Sequence, residues 1–176
     1  MTTATQLSGS YVADPVHSSF GFGVVYQGVS LFKGTLSEVA ATVTDGRLEG
    51  TAQVESISIR TPDQFRQHVL SAEFFDAENH PEVTFTSSDL DLREDGTAVV
   101  AGELTIKGIT RPVEATGTWT APAPDAFGNT RGHLNLEAVV DRTEYDMNWN
   151  MALPSGGNVL ANDVTLTVEL SLIEQA

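Results

Sequence analysis

Histidines and serines are the first candidates in this chain for metal ligation or proton transfer, because paired carboxylates cannot be inferred from spacing alone in so acidic a sequence. The four histidines are His17, His68, His80 and His133. None forms the His-x-His or i, i+4 pair typical of a metal site on a strand or helix, and the chain has no cysteine. Ser18, Ser19 and Ser71 have histidines nearby, but no Gly-x-Ser-x-Gly motif supports a nucleophile. The sequence therefore predicts no metal site, no cofactor site and no catalytic residues.

Acidic residues dominate the charge of the chain, with 24 Asp and Glu against 9 Lys and Arg and a formal net charge of −15. Phosphate backbones and anionic lipid surfaces repel such a protein. We therefore expect neither nucleic-acid binding nor peripheral membrane binding through a basic patch.

The length of 176 residues fits one domain. We expect residues 1–9 to be a flexible N-terminal tail and residues 10–175 to form the domain. The N-terminus lacks the basic and apolar regions of a secretion signal, and no apolar run approaches the roughly 20 residues of a membrane helix. These features predict a cytoplasmic protein without stable membrane insertion.

Apolar and polar residues alternate along most of the chain, as in strands with one buried face. The clearest examples are residues 20–26, 98–106, 113–120, 133–140 and 163–172. Asp45-Gly46 and Asp95-Gly96 are typical hairpin turns between such segments. Phase changes near Ser56 and near residues 87–89 indicate bulges or bends.

About eight strands joined by short hairpins can close as a barrel or pack as a sandwich. We expect an all-β fold, an extended antiparallel up-and-down β-barrel, because closure removes exposed sheet edges. A sandwich is the alternative. Residues 121–131 and 152–158 are predicted loops, since they are rich in Gly, Pro, Asn and Ser.

Small residues recur on the predicted inward faces of the strands. They are Ala41, Ala52, Gly102, Ala115, Gly117 and Ala138. An eight-stranded barrel is either filled by its side chains or holds one small ligand, and small inward residues favour a ligand. Large residues on opposing strands could fill the same space, so both outcomes stay open.

Residues 61–75 interrupt the strand pattern with the features of a short helical segment. We expect Thr61 to cap a helix, Pro62 to occupy its first position and Gln64 to complete a capping box. Phe65 and Val69 then share one face, which indicates a helix covering an open end of the barrel. The apolar residues of this segment either complete the core or form the wall of a ligand cavity.

The stretch DRTEYDMNWNMALP, residues 141–154, places aromatic and thioether side chains in a loop. It is either a plug folded back on the barrel or an adaptable apolar lip around a pocket mouth.

Several segments, in order along the chain, resemble the motifs of the YceI-like proteins. They are DPVHSSFGFGV (14–24), FRQHVLSAEFFDAENHPEVTFTSS (65–88), GELTIKGITRPVEA (102–115), DRTEYDMNW (141–149) and NDVTLTVELSL (162–172). The resemblance implies a lipocalin-like barrel around an apolar pocket for polyisoprenoid chains, such as isoprenoid quinones or polyprenyl phosphates. It implies no shared catalytic activity.

The match departs from the family pattern at three places. Phe65-Arg66 stands where the family has Arg-Asp, Gln27 stands where it often has His, and Asp146 replaces a glycine. The changes at 65–66 and 146 have opposite effects on an anionic head group, so charge does not choose between a phosphate and a neutral quinone.

The resulting hypothesis is a non-enzymatic protein that carries or sequesters an isoprenoid or other long-chain lipid. A homodimer and a monomer are both compatible with the sequence. Arg66 and His68 are the expected contacts for a polar head group. The predicted ligand-binding residues are Phe20, Phe22, Phe65, Arg66, His68, Leu70, Phe74, Phe85, Trp119, Tyr145, Met147 and Trp149. The alternatives are a lipid-modifying enzyme that uses His17 or His68 as a general base, and a barrel with a closed cavity that acts on a protein partner.

Overall fold

The computed structural model of the chain describes residues 4–5 and 7–176. Its strands are β1 (Ala4–Thr5), β2 (Ser10–Ala13), β3 (Ser19–Tyr26), β4 (Ser30–Leu36), β5 (Val39–Thr44), β6 (Arg47–Gln53), β7 (Glu82–Arg93), β8 (Thr97–Ile106), β9 (Ile109–Pro124), β10 (Thr130–Asp141) and β11 (Leu160–Glu174). The helix is α1 (Asp63–Leu70), and Val54–Ser56 and Arg142–Tyr145 form 3-10 turns.

Eight of these strands close into an antiparallel barrel. Their order around it is β2, β5, β6, β7, β8, β9, β10 and β11, and β11 pairs with both β10 and β2. Continuous pairing around the circle excludes the sandwich and confirms the predicted all-β barrel. The apolar faces of the strands point inward, as the strict alternation of buried and exposed residues in β5 illustrates.

The β3–β4 hairpin departs from a simple up-and-down order. Strand β11 has 15 residues. Its end pairs with the short β2 at Leu172–Glu174, and the rest of the same edge pairs with β3 between Leu160 and Glu169. Strand β4 then pairs with β3 and ends the sheet. The hairpin therefore extends the barrel wall at one end.

The predicted hairpin turns and the predicted bulge are present. Asp45 and Gly46 both have positive φ, 49° and 80°, as a two-residue turn between β5 and β6 requires. Asp95 and Gly96 lie in the turn between β7 and β8. The register of β7 against β8 shifts between Ser87 and Asp89, and the chain leaves β6 through the 3-10 turn that ends at Ser56.

The loop predicted for residues 121–131 is shorter than expected. Strand β9 continues to Pro124 and β10 begins at Thr130, because these two residues still pair across the ladder, as do Ala123 and Arg131. Only residues 125–129 connect the two strands. The prolines are tolerated near the strand end, where fewer ladder hydrogen bonds are lost.

Helix α1 begins one residue later than the capping-box prediction required. Pro62 has extended dihedral angles, φ −67° and ψ 155°, and therefore precedes the helix instead of starting it. No side chain caps the helix, so the predicted roles of Thr61 and Gln64 are wrong. Ser71 ends the helix and starts the next turn, since its hydroxyl donates to the His68 carbonyl and its own carbonyl accepts from the amide of Phe74.

The predicted tail, residues 1–9, falls partly on residues 1–3 and 6, which lie outside the described residues. Ala4–Thr5 pairs with Leu92 and Arg93 of β7, and Leu7 packs in the core. No helix in the described part of the chain is long and apolar enough to cross a membrane.

Candidate functional site

A cavity of about 460 Å³ lies at the end of the barrel that is covered by α1. Strands β3, β4, β10 and β11 form its sides, and α1, the turn after it and the segment 142–149 close it. The lining residues are Phe20, Phe22, Val24, Tyr26, Phe32, Phe65, His68, Val69, Phe74, Phe75, Ile106, Val140, Arg142, Tyr145, Met147, Trp149, Leu160, Val164 and Leu166. We call this space the end cavity.

Phenylalanine rings form one wall of the end cavity. The ring centroid of Phe22 lies 6.0 Å from that of Phe32 and 6.1 Å from that of Phe75. The rings of Phe32 and Phe65 meet edge-on, with their centroids 5.5 Å apart. These contacts join β3 and β4 to α1 and its following turn. The wall is therefore a set of tilted rings with apolar faces and edges toward the cavity.

A second aromatic group lies where α1 approaches the segment 142–149. The His68 ring lies 5.0 Å from Phe74 and 5.0 Å from Trp149, and the two latter rings are 5.8 Å apart. The Nε2 atom of His68 lies 2.6 Å from the Glu73 carboxylate. His68 thus adds a polar edge to an otherwise apolar part of the cavity lining.

Arg142 is a buried cation in the wall, with only 4% of its surface exposed. Its guanidinium donates to the backbone carbonyls of Met147, Trp149, Leu160 and Ala161. Burial lowers the pKa of this guanidinium, and the nearby Asp141 carboxylate opposes that change. Arg142 therefore fixes the segment that carries Met147 and Trp149 against the start of β11.

Lys107 makes a similar connection outside the cavity. Its ammonium donates to the carbonyls of Ala72 and Asp146, the latter at 2.7 Å. The turn between β8 and β9 is thereby tied to the turn after α1 and to the segment 142–149, so the two parts of the cover are held together.

Tyr145 is the deepest polar residue of the end cavity, with 1% of its surface exposed. Burial raises the pKa of its phenol, and the Glu144 carboxylate adds to this effect. The Tyr145 hydroxyl has no hydrogen-bond partner among the described residues. In the same part of the chain, every side-chain N or O atom that is fully shielded from solvent has a hydrogen-bond partner. The hydroxyl is therefore not fully occluded, and the Tyr145 side chain is one of those that line the end cavity.

A smaller cavity of about 90 Å³ lies further inside the barrel. Phe20 and Leu166 line both cavities and separate them. Four of the small residues predicted to face a ligand line this inner cavity: Ala41, Ala52, Ala115 and Ala138.

Large rings cover the space beside inward glycines. A Cβ atom at Gly102 would lie 2.6 Å from the Phe85 ring, and one at Gly34 would lie 2.5 Å from the Phe22 ring. The rings of Phe85 and Phe22 thus fill space that the missing side chains leave. Both outcomes left open by the small residues occur, since side chains fill most of the middle of the barrel and leave only the inner cavity there, while the larger space is at its end.

The structure brings most of the predicted ligand-binding residues together. Eight of them line the end cavity: Phe20, Phe22, Phe65, His68, Phe74, Tyr145, Met147 and Trp149. Phe85 lines the inner cavity. The remaining three, Arg66, Leu70 and Trp119, line neither cavity.

Those three residues have other contacts. The Arg66 guanidinium donates to the carbonyls of Glu55, Ile57 and Ile59, so it fixes α1 to the preceding segment and is not directed at a ligand. Leu70 packs against the core. Trp119 lies toward the opposite end of the barrel, where its indole N–H donates to the Arg93 carbonyl at 2.7 Å.

Several lining residues were not among those predicted. Tyr26 and Phe32 belong to the β3–β4 hairpin, and Val24 pairs with Phe32 across it. Their alternation predicted strands, but alternation does not say that this hairpin extends the end of the barrel. Arg142 was also missed, although it is the arginine of the last family-like motif.

Histidines do not gather at the site. His17 lies near the other end of the barrel, 2.8 Å from the Asp14 carboxylate, which also accepts from Arg131. Among residues 4–5 and 7–176, no group of three or more His, Asp or Glu side chains has the arrangement of a metal site.

A family model described as the YceI-like domain matches residues 11–172 of this chain. A UPF0312 protein of Staphylococcus aureus strain USA300 is 29% identical over 177 residues, which covers 94% of this chain and 99% of the relative.

Solved structures share the fold. BcnA of Burkholderia cenocepacia has a TM-score of 0.72 at 20% identity, covering 90% of this chain and 98% of BcnA. A polyisoprenoid binding domain from Saccharophagus degradans has a TM-score of 0.66 at 13% identity, covering 94% of this chain and 98% of that domain. Since the family model extends from β2 to β11 and so spans the whole barrel, this chain belongs to the YceI-like domain family.

Proposed function

We propose that the protein binds a long apolar amphiphile, an isoprenoid lipid, in the end cavity and carries or sequesters it unchanged. The observation that carries this proposal is the cavity of about 460 Å³ whose lining is almost entirely aromatic and aliphatic. Transfer of apolar surface from water into such a space is favourable by about 25 cal/mol per Å². A lipid tail gains affinity there without many polar contacts.

The cavity volume indicates the length of tail that is enclosed. An apolar protein cavity of about 150 Å³ holds one benzene, or about six carbons. By that measure a space of about 460 Å³ holds about 18 carbons, or three to four isoprene units. A longer chain would extend beyond this space or would require Phe20 to move.

The polar atoms of the cavity favour a neutral head group with a hydrogen-bond acceptor. Tyr145 is a buried lining residue whose hydroxyl has no hydrogen-bond partner among the described residues, whereas Arg142 already donates to four backbone carbonyls. Burial of an anion without a free cationic partner is costly. A quinone carbonyl or a prenol hydroxyl fits these groups better than a phosphate does. The shared fold with the Saccharophagus degradans domain, which is named for polyisoprenoid binding, supports the isoprenoid class.

Carriage without chemistry is proposed because the candidate acid–base groups have structural contacts. His68 packs against the rings of Phe74 and Trp149 and pairs with Glu73, and His17 pairs with Asp14 away from the cavity. No Ser, Asp or Glu is among the described residues that line the end cavity, and His68 is the one histidine among them.

The two tryptophans provide a direct test. Trp149 lines the end cavity and Trp119 does not. Titration with a short-tailed isoprenoid quinone should quench the intrinsic fluorescence, since a quinone quenches an indole that it contacts. The saturable part of the quenching should disappear in Trp149→Phe and persist in the matched control Trp119→Phe.

Two results would contradict the proposal. Quenching that is lost in Trp119→Phe and kept in Trp149→Phe would place the ligand elsewhere. Conversion of an added isoprenoid that stops in His68→Ala, with the fold intact by circular dichroism, would favour the enzyme alternative.

A further inference from the structure

The β3–β4 hairpin ends in an exposed apolar tip. Val29 is 88% exposed and Leu31 is 54% exposed, and both belong to the tip, residues 25–31. Val25 and Tyr26, on the other strand of the hairpin, are also exposed. Exposed apolar side chains scattered singly are ordinary, but a contiguous group indicates a contact surface.

A second segment adds to this apolar surface. The amide of Gln27 in the tip donates to the Val159 carbonyl at 2.7 Å, and the amide of Val159 donates to the Met151 carbonyl at 2.8 Å. Met151 is 61% exposed. The tip and residues 147–162 therefore meet in one surface, which we call the apolar rim.

The charge pattern of the apolar rim differs from that of the rest of the chain. Residues 15–37 and 147–162 contain none of the 24 acidic residues, and Lys33 is their only Lys or Arg. A chain with a net charge of −15 thus keeps both of its rim segments free of carboxylates. Carboxylates next to a lipid surface would oppose contact through desolvation and, where the lipid is anionic, through repulsion.

The apolar rim is continuous with the end cavity. Tyr26 and Phe32 of the hairpin and Met147 and Trp149 of the second segment all line that cavity. The same two segments therefore have one face toward the cavity and an exposed apolar face toward solvent.

We propose that the apolar rim is the surface with which this protein contacts a lipid bilayer, so that a ligand passes between the membrane and the end cavity. The exchange of ligand rests on the proposed function, whereas the contact itself does not. Reversible contact needs only a few inserted apolar side chains. A second copy of the chain is less well suited, because a stable dimer buries about 800 Å² on each partner and the exposed part of the rim is a few side chains.

The experiment measures co-flotation of the ligand-free protein with phosphatidylcholine vesicles, and compares the wild type with Val29→Asp. Because Val29 does not line the end cavity, this change leaves the ligand walls intact. Loss of one inserted valine and gain of a charge should lower the vesicle partition coefficient at least tenfold. Vesicles that contain phosphatidylglycerol should bind the wild type less, since the protein is anionic.

Phe127→Asp is the matched control. Phe127 is 88% exposed, as Val29 is, but it lies in the connection between β9 and β10, at the opposite end of the barrel. This variant should partition to vesicles as the wild type does. Thermal unfolding of both variants verifies that they are folded.

Three outcomes would overturn the proposal: wild-type protein that does not float with neutral vesicles, equal losses in Val29→Asp and Phe127→Asp, or a dimer in sedimentation analysis that only Val29→Asp dissociates. Affinity for a farnesyl ligand free in solution is measured in parallel. If that affinity is absent while flotation follows the prediction, the proposed function fails and the membrane contact stands.

Discussion

Phe20 separates the two cavities, so its removal should change which lipids the protein prefers. Phe20 lines both the end cavity and the inner cavity, and only 9% of it is exposed. In Phe20→Ala the ring is deleted and the Cβ atom is kept. We expect the two spaces to merge into one longer channel.

The size of the change follows from the volumes. Deletion of the ring frees space for about six carbons, and the inner cavity of about 90 Å³ adds three or four by the same benzene measure. The enclosed length should rise from about 18 to about 28 carbons, an increase of about two isoprene units. The deletion should also cost about 3–5 kcal/mol of folding stability, part of which a bound ligand offsets.

The assay is competition by polyprenols of increasing length against a bound fluorescent ligand. The wild type should reach its highest affinity at three to four isoprene units, and Phe20→Ala at five to six. The matched control is Leu92→Ala, because Leu92 is fully buried but lines neither cavity. It should lower stability by about 2–5 kcal/mol and leave the preferred length unchanged. An unchanged preference in Phe20→Ala, or an equal shift in Leu92→Ala, would refute the assignment.

Two further predictions concern single polar groups. In Tyr145→Phe the affinity for a ligand with a carbonyl or hydroxyl head group should fall about three- to tenfold, because a hydrogen-bond donor is lost. The affinity for a hydrocarbon of equal length should stay unchanged. Competition titrations measure both affinities, and equal effects on the two ligands would contradict the role of the phenol. Asp14 accepts hydrogen bonds from His17, Arg131 and the Val16 amide, which lower its pKa from 3.8 to about 2. Because the Asp14 carboxyl has a lower pKa in the folded protein than in the unfolded one, it stabilises the fold when the pH is above its unfolded pKa. This stabilisation disappears as the pH falls from about 4 to about 2. The unfolding temperature of Asp14→Asn should therefore decline less steeply over that interval than that of the wild type; parallel curves would contradict the assignment.

Local patterns predicted most of the barrel because they act over short distances. Alternation of apolar and polar residues identified the strands, and Asp45-Gly46 identified a turn through its backbone preference. A hairpin turn specifies only the pairing of the two consecutive strands that it joins, and neither pattern specifies the pairing of strands that are distant in the sequence. The pairing of β3 with the long β11, beside β2, depends on a contact between distant parts of the chain. Phe32 of β4 was therefore not predicted as part of the site, although Phe20 and Phe22 of β3 were.

Residues of the candidate site could be predicted where a large apolar side chain lies on an element that covers the barrel, because such a side chain can be buried only by pointing inward. Phe65 and Trp149 line the end cavity, as apolar residues on a covering element should. The arginines were harder, because a long side chain reaches partners that spacing does not reveal. Arg66 donates to carbonyls of the preceding segment, while Arg142, which was not predicted, supports the cavity wall from within.

The position of the cavity also depended on packing. The small inward residues left open whether the middle of the barrel holds a ligand, and the structure leaves there only the inner cavity of about 90 Å³, with the Phe85 ring covering Gly102. The larger space lies at the end, where the hairpin, α1 and the segment held by Arg142 enclose more volume than their side chains fill. Such a space is a property of the assembled elements and leaves no signature in any one of them.

The most direct test of the central claim is native mass spectrometry of the protein purified from its own host, with organic extraction of the same sample. The account predicts a bound species whose mass equals that of an isoprenoid lipid, and whose occupancy falls in a variant with Trp149→Ala and Phe65→Ala. Protein that is repeatedly free of lipid, and that also fails to bind added polyprenols or isoprenoid quinones of three to four units, would contradict it.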